Sequence, residues 1–234
     1  MNGQLMPVAA PPDRDLVMRA LDQAQALVRK SHFVYAAGDH GPDYFNKDAI
    51  VDAWLVAAIA FHMAAQIPRT GDVVIVGAAV GAIRWAQAVG DAVARMSSEP
   101  NRRIIAMYAD KVHDGEESPF VFKRGYGARL RAGGRRYGVE DVFNSGGSAG
   151  RLVQAMQAEG VEVEGLLGIC NRGRVTKEQL GVNRLWSFID FDLPKYLVSK
   201  GEPCPLCEQG VPVNVELGHG ADWVKRNGQV VVST

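Results

Sequence analysis

Residues 137–148 read Tyr-Gly-Val-Glu-Asp-Val-Phe-Asn-Ser-Gly-Gly-Ser, a buried strand followed by a glycine-rich turn and the start of a helix. In an open parallel sheet, ligands bind beyond the carboxyl ends of the strands. Such a turn lets backbone N–H groups converge on a phosphate, and the positive end of the next helix helps to hold it. Gly146 and Gly147 permit close approach of the ligand, while Ser145 and Ser148 add hydroxyl donors. The stretch therefore predicts a phosphate loop in an α/β fold.

Two adjacent acids, Glu140 and Asp141, stand at the end of the same predicted strand. Neighbouring carboxylates are suited to accept hydrogen bonds from vicinal hydroxyls. Beside a phosphate loop, they indicate a site for a ribose 5-phosphate. The alternative is an ordinary Gly/Ser turn between strand and helix, with solvated acids. The stretch is not a Walker loop, because no Gly-Lys-Ser/Thr follows.

Strands and helices alternate through most of the chain. Apolar runs predict strands at 72–76, 104–108, 137–142 and 163–170, with a short strand at 120–123. Helical periodicity marks 13–30, 49–66, 82–96 and 149–159, and residues 31–46 indicate a short hairpin or extended loop. This alternation predicts an α/β fold with a doubly wound, mostly parallel sheet. We assign residues 1–234 to a single domain, with a core at about 49–175 and a small hood or flap from about 13–48 and 176–234.

The bulk composition excludes several classes of protein. The formal net charge is zero, which argues against sequence-independent nucleic-acid binding. No apolar run approaches the roughly 20 residues of a membrane span, and the N-terminus lacks the pattern of a secretory signal. Three cysteines do not form a disulfide framework for a chain of 234 residues. We therefore expect a cytoplasmic protein that binds neither nucleic acid nor membrane.

Several segments resemble the type I phosphoribosyltransferases, and above all the orotate phosphoribosyltransferases, in the same order over about 190 residues. Besides the phosphate loop, they are His-Phe-Val-Tyr (32–35), Gly-Asp-His-Gly (38–41), Tyr-Phe-Asn-Lys-Asp-Ala (44–49), Tyr-Ala-Asp-Lys (108–111), Lys-Arg-Gly-Tyr (123–126), Cys-Asn-Arg-Gly (170–173), Cys-Pro-Leu-Cys (204–207) and Gly-His-Gly (218–220). The resemblance implies the type I phosphoribosyltransferase fold. It also implies transfer of ribose 5-phosphate from phosphoribosyl diphosphate to orotate in pyrimidine (UMP) synthesis, giving orotidine 5′-phosphate and pyrophosphate. A homodimer and Mg²⁺ held mainly by substrate and water are implied as well.

The resemblance also implies roles for individual residues. Catalytic roles fall to Lys111, Asp141 and Glu140. Phosphoribosyl diphosphate is bound by Glu140 and Asp141 at the ribose hydroxyls, by Asn144, Ser145, Gly146, Gly147 and Ser148 at the 5-phosphate, and by Ala78, Ala79 and Lys111 at the pyrophosphate. Orotate is bound by Arg172 at its carboxylate and by Tyr44 and Phe45 along the base. The loop at 112–119 closes over a site, commonly that of the neighbouring subunit.

Some of these positions have simpler interpretations. The alternative for Lys111 is a solvated surface lysine, and the alternative for residues 77–81 is a plain turn between strand and helix. The alternative for Tyr44 and Phe45 is packing within the hood. The chain also departs from the family pattern at Asp39, where a cation is usual, at Ala78 and Ala82, and at Asn144. Two alternatives therefore stay open: transfer to another base, and a non-catalytic regulator that binds phosphoribosyl diphosphate.

The Cys204-Pro-Leu-Cys207 segment also suggests zinc, but tetrahedral zinc needs four ligands and the sequence shows only one CxxC pair. His219 and Cys170 are the candidates to complete such a site, if the fold brings them close. His32, His40 and His62 show no ligand spacing. We therefore interpret the CxxC segment as a reduced structural turn.

Overall fold

The computed structural model describes residues 10–114, 117–191 and 194–229. The chain divides into two compact units. The first, here called the sheet unit, comprises Met1–Val17 and Asp52–Phe191, and the second, the small unit, comprises Met18–Val51 and Asp192–Thr234. Within the described ranges, none of the helices has both the length and the apolar character needed to traverse a bilayer.

The secondary structure elements follow in chain order. The strands are β1 (Leu27–Val28), β2 (Phe33–Val34), β3 (His40–Gly41), β4 (Tyr44–Phe45), β5 (Val73–Ala78), β6 (Ile104–Lys111), β7 (Phe120–Val121), β8 (Arg135–Phe143), β9 (Gly165–Asn171) and β10 (Arg184–Asp190). The α-helices are α1 (Arg14–Gln23), α2 (Ala53–Ala64), α3 (Ile83–Met96), α4 (Tyr126–Arg131), α5 (Gly147–Ala158), α6 (Lys177–Leu180), α7 (Pro205–Glu208) and α8 (Gly220–Asn227). Single 3₁₀ turns occur at Lys47–Ala49 and Val198–Lys200.

The sheet unit is built on a six-stranded sheet in the order β10-β9-β8-β5-β6-β7. Neighbouring strands are parallel except for the pair β6 and β7. Every residue of β5 is buried, as expected of a central parallel strand covered on both faces. The predicted α/β fold with a doubly wound, mostly parallel sheet is confirmed.

Two sequence predictions about individual elements were wrong. The helix predicted from 13 to 30 starts as expected, with Asp13 Oδ1 accepting from the Leu16 N–H at 2.9 Å, but it ends at Gln23. Gln25 takes a φ of 55° and the Ala26 N–H donates to the Leu21 carbonyl, which closes the helix before β1. Apolar periodicity continues past this point and therefore conceals the end of the helix.

The second error concerns β10, which the sequence did not predict. This strand pairs in parallel with β9 and forms one edge of the sheet. Only Phe188 and Ile189 are buried in it, so the strand lacks the continuous apolar run by which a buried parallel strand is recognised. Because of this pairing, residues 176–191 lie in the sheet unit rather than with the C-terminal hood segment. The assignment of the whole chain to a single domain stays a prediction.

The small unit consists of short elements. β1 pairs with β4 and β2 pairs with β3, both antiparallel, so the hairpin predicted within residues 31–46 is present. Its buried apolar side chains include Phe33, Val34, Phe45 and Val213. Among the described residues, ten buried apolar residues lie in this unit and 42 in the sheet unit, so the apolar core of the small unit is small.

Candidate functional site

The site-forming edge of the sheet lies where the strand order reverses. From β5 the chain continues to β6 on one side, whereas β8, β9 and β10 follow on the other side. The paired residues Gly77 and Val139 show that β5 and β8 are direct neighbours. Ligands of doubly wound proteins bind in the crevice at such a switch point. Ala78 follows Gly77, and Glu140 follows Val139, so both lie at this crevice.

The acid pair is buried at the end of β8. Glu140 is 5% exposed and Asp141 9% exposed. Glu140 Oε1 accepts from the Asp141 N–H at 3.2 Å, and Asp141 Oδ1 accepts from the Val142 N–H at 2.7 Å. Each carboxylate therefore leans toward the carboxyl end of the strand. Burial, reinforced by the charge of Asp141, raises the pKa of Glu140 to about 8. Glu140 Oε2 is buried, with no hydrogen-bond partner among the described residues.

The predicted phosphate loop forms the turn between β8 and α5. Gly146 has a φ of +81°, a left-handed conformation that favours glycine, and α5 begins at the next residue. The Gly147 N–H lies 3.4 Å from Ser145 Oγ. The first N–H groups of a helix have no acceptor within the helix and carry its positive end. Asn144 and Ser145 are exposed, so a ligand can reach the loop from solvent.

The turn after β9 packs against the predicted phosphate loop and hydrogen-bonds to the residue before it. The Arg172 and Gly173 N–H groups both donate to the Phe143 carbonyl, at 3.1 and 3.0 Å. Gly173 lies so close to the loop that a Cβ built on it would stand 1.3 Å from the Asn144 carbonyl oxygen. From α6, the Gln179 side-chain amide donates to the Ser145 carbonyl at 3.1 Å. The loop is thus held in place by the backbone of the turn after β9 and by the Gln179 side chain.

Sequence reasoning missed one cation near the phosphate loop. Arg151 lies on α5, and its Nη1 is 3.3 Å from the position that a Cβ on Gly147 would occupy. Helical side chains point back toward the N-terminus, so an arginine one turn into α5 reaches the first turn of that helix. The spacing of Arg151 four residues after Gly147 was the available signal. A guanidinium at this place can neutralise a phosphate.

The turn after β5 corresponds to the predicted pyrophosphate loop. The Ala79 N–H donates to the Ala109 carbonyl at 3.1 Å, and the Ala79–Val80 peptide bond is cis. A Cβ on Gly77 would lie 2.5 Å from the Ala82 carbonyl oxygen, so this glycine lets the turn close tightly. The side chain of Val80 is exposed. The turn lies at the switch point beside Glu140, and pyrophosphate binding there stays a prediction.

The two predicted cations sit at other strand ends of the same edge. Lys111 is the last residue of β6, and Arg172 follows the last residue of β9. Arg172 thus flanks the phosphate loop, whereas β5 lies between β6 and β8. The predicted closing loop at 112–119 includes residues 115 and 116, which lie outside the described residues. Its described part is folded back, with the Val112 N–H donating to the Pro119 carbonyl at 3.0 Å.

The remaining predicted residues belong to the small unit. Phe45 is buried in β4, and the ring of Tyr44 packs against Phe33 at a centroid distance of 5.2 Å. Both rings pack within this unit, and a role for them in binding orotate stays a prediction. Asp39, where the sequence resemblance led us to expect a cation, is buried and accepts from the Ser199 N–H at 3.3 Å and from its hydroxyl. Asp39 therefore has a structural role within this unit.

The doubly wound sheet, with an acid pair and the predicted phosphate loop at its switch point, makes this an α/β protein, and its structural neighbours have the type I phosphoribosyltransferase fold. No family model matches the chain. The chain is 24% identical over 196 residues to the orotate phosphoribosyltransferase of Chlorobaculum parvum, a match covering 83% of this chain and 91% of that one. The resemblance to orotate phosphoribosyltransferases that the motifs indicated is thereby confirmed.

Solved structures show the same fold. The orotate phosphoribosyltransferase of Mycobacterium tuberculosis in complex with inorganic phosphate has a TM-score of 0.53 at 22% identity, covering 81% of this chain and 99% of that chain. The adenine phosphoribosyltransferase of Saccharomyces cerevisiae has a TM-score of 0.51 at 15% identity, covering 75% and 99%. The fold is thus similar to that of transferases named for two different bases.

Proposed function

We propose that this chain is an orotate phosphoribosyltransferase. It would transfer ribose 5-phosphate from phosphoribosyl diphosphate to a ring nitrogen of orotate, with release of pyrophosphate, as a cytoplasmic homodimer in pyrimidine synthesis. The observation that carries the proposal is that a buried acid pair and a glycine-rich loop, braced by Gln179, lie next to each other at the end of β8. The collinear motifs and the similarity to orotate phosphoribosyltransferases support orotate as the acceptor.

In this proposal, different residues bind different parts of phosphoribosyl diphosphate. The loop at 144–148 and the first turn of α5 receive the 5-phosphate, with Arg151 as the neighbouring cation. Glu140 and Asp141 accept hydrogen bonds from the ribose hydroxyls, which positions the anomeric carbon at the switch point. In the reaction the bond from this carbon to pyrophosphate breaks and the bond to the orotate nitrogen forms. Catalysis would then rest on positioning and on neutralising the leaving pyrophosphate, the role that we assign to Lys111 and to the turn at Ala78 and Ala79.

The donor set at the switch point fits Mg²⁺. This ion prefers oxygen ligands and retains several waters, so it is usually held by one or two carboxylates together with substrate phosphates. The carboxylate of Asp141, buried at the end of β8, offers such an oxygen, while oxygens of the substrate and water would supply most of the ligands. When bound, Mg²⁺ would neutralise charge on the pyrophosphate. Removal of the ion with a chelator should abolish turnover.

The test is direct. The protein is incubated with phosphoribosyl diphosphate, Mg²⁺ and orotate while the absorbance of orotate is followed. Arg172→Ala should raise the KM for orotate strongly and leave the affinity for phosphoribosyl diphosphate nearly unchanged, because the guanidinium pairs with the orotate carboxylate. Arg129→Ala, an exposed arginine on α4, is the control and should behave like wild type. Equal orotate kinetics in all three proteins would refute the assignment of Arg172.

A second candidate function is transfer to a different base. It is favoured by the fold similarity to an adenine phosphoribosyltransferase and by the Ala78 and Ala82 departures in the pyrophosphate turn. A panel of purine and pyrimidine acceptors under the same conditions separates the two candidates. Binding of phosphoribosyl diphosphate without product from any acceptor would instead identify a regulator, and absence of binding would overturn the proposal altogether.

A further inference from the structure

Four potential metal ligands meet inside the small unit. They are His32, His40, Cys204 and Cys207, and their ligand atoms all lie within 4.8 Å of one another. From the sequence, His219 and Cys170 are the candidates to complete a site with the two cysteines, but the side chains that meet them are His32 and His40. Cys170 is in β9 of the sheet unit, and the histidines that join the CxxC pair come from the hairpin of β2 and β3.

The distances match a tetrahedral zinc site. With Zn–S near 2.3 Å and Zn–N near 2.0–2.1 Å, the ligand atoms of a tetrahedron stand roughly 3.3–3.8 Å apart. The His32 Nε2 atom is 3.8 Å from the Cys204 sulfur and 3.7 Å from the Cys207 sulfur. His40 Nδ1 is 3.4 Å from the Cys207 sulfur, and the two imidazole nitrogens are 2.9 Å apart. A shift of a few tenths of an ångström between the rings accommodates the ion.

The orientation of His32 is already that of a ligand. Its Nδ1 lies 2.7 Å from the Val211 carbonyl oxygen, so Nδ1 carries the proton and donates it. The lone pair of Nε2 is then directed into the cluster. A backbone carbonyl that orients a histidine in this way is the usual outer partner of a zinc-bound imidazole. The His40 N–H donates to the Tyr196 carbonyl at 3.0 Å, and the Tyr196 N–H donates to the His40 carbonyl at 2.8 Å. These two bonds hold the backbone of His40 in place.

The cluster is buried although its members are polar. His32 and His40 are completely buried and Cys204 is 4% exposed. His40 Nε2 has no hydrogen-bond partner among the described residues, and the ring packs edge-on against Trp223. If the two imidazoles hydrogen-bond to each other directly, His40 Nδ1 is the donor and His40 Nε2 keeps a lone pair. That lone pair is buried without a hydrogen-bond donor among the described residues, which costs the free energy of desolvating it. A metal on Nδ1 instead places the proton on Nε2, so that this nitrogen no longer carries a buried lone pair.

The architecture of the small unit also favours stabilisation by a bound metal ion. It is assembled from two stretches far apart in sequence, its strands have two residues each, and α7 has four. Domains with so small an apolar core are commonly stabilised by disulfides or by a structural metal. All three cysteines are free thiols. An ion held by the hairpin at 32–41 and by the CxxC turn would join the two stretches within this unit.

We propose that His32 Nε2, His40 Nδ1 and the sulfurs of Cys204 and Cys207 bind one structural Zn²⁺. Two sulfur and two nitrogen ligands in a tetrahedron select zinc among the common divalent ions. Four protein ligands close the coordination sphere, so the ion stabilises the fold and takes no substrate. The proposal does not depend on the reaction catalysed in the sheet unit.

The test measures metal directly. Protein purified without chelator should contain one zinc ion per chain by mass spectrometric elemental analysis. His219→Ala, which removes an exposed histidine of the same unit, should retain the ion, whereas His32→Ala and Cys207→Ser should lose it. Full zinc content in Cys207→Ser, or wild-type protein that is folded, reduced and metal-free and takes up no added Zn²⁺, overturns the proposal.

A second measurement covers variants that fail to fold. Wild-type protein exchanged with Co²⁺ should show the intense visible bands of tetrahedral cobalt and a thiolate-to-metal charge-transfer band, and both should disappear when Zn²⁺ is added. Weak octahedral bands would exclude the proposed ligand set. A mass two hydrogens lower than that of the reduced chain, with no metal, would show a Cys204–Cys207 disulfide and would also refute it.

Discussion

Glu140→Gln should remove a large pH dependence from the stability of the substrate-free protein. The Glu140 carboxyl is 5% exposed, its Oε2 has no hydrogen-bond partner among the described residues, and its environment holds the pKa at about 8. The folded protein therefore keeps this group protonated at pH values where the unfolded chain has released the proton. Glutamine has nearly the same shape and carries no charge at any pH.

The direction and size of this pH dependence follow from the difference in the pKa of Glu140 between the folded and unfolded states. Because the pKa of Glu140 is raised, its contribution to stability is complete below the unfolded value of 4.5 and is lost as the pH rises through about 8. At about 1.36 kcal/mol per pKa unit, the full loss is on the order of 4–5 kcal/mol. The free energy of unfolding of the wild type should thus fall between about pH 5 and about pH 9, relative to the variant.

The assay is urea denaturation followed by far-ultraviolet circular dichroism at several pH values across this range. Glu202→Gln, at an exposed position, is the matched control and should follow the wild-type curve. The informative quantity is the difference in unfolding free energy between wild type and each variant as a function of pH. If the Glu140→Gln difference stays constant from about pH 5 to about pH 9, Glu140 is ionised in the folded protein and the reasoning about its burial is wrong.

Three further predictions concern the sheet unit. Gly173→Ala should destabilise the protein by about 1–3 kcal/mol in the same denaturation assay and weaken binding of phosphoribosyl diphosphate, because the new Cβ meets the Asn144 carbonyl. Gly150→Ala within α5 is the matched comparison and should stabilise the protein by about 0.5–1 kcal/mol. Arg151→Ala should weaken that binding by about 10-fold or more in calorimetry, with Arg129→Ala unaffected; equal affinities would remove Arg151 from the site. Tyr137→Phe should raise stability by up to about 1 kcal/mol, since the buried hydroxyl has no partner among the described residues, and a clear loss would mean that it has one.

Local sequence patterns predicted five of the six strands that build the sheet. The continuous apolar run at 72–76 and the Gly-Gly turn at 146–147 each express a physical rule that acts over a few residues, so β5 and the loop before α5 could be predicted. The edge strand β10 could not, because only two of its residues are buried and its identity as a strand depends on pairing with β9. The placement of Glu140 beside Ala78 likewise follows from strand order, which periodicity does not contain.

The sequence by itself determined the class of fold, the phosphate loop and the acids beside it, because these depend on hydrophobic period, on backbone freedom at glycine and on neighbours along the chain. The tertiary structure decided which distant residues meet. The clearest case is the pair Cys204 and Cys207, whose sulfurs lie beside His32 and His40, more than 160 residues earlier in the chain. No local spacing encodes this contact, because it arises only when the β2–β3 hairpin and the CxxC turn pack into one small core.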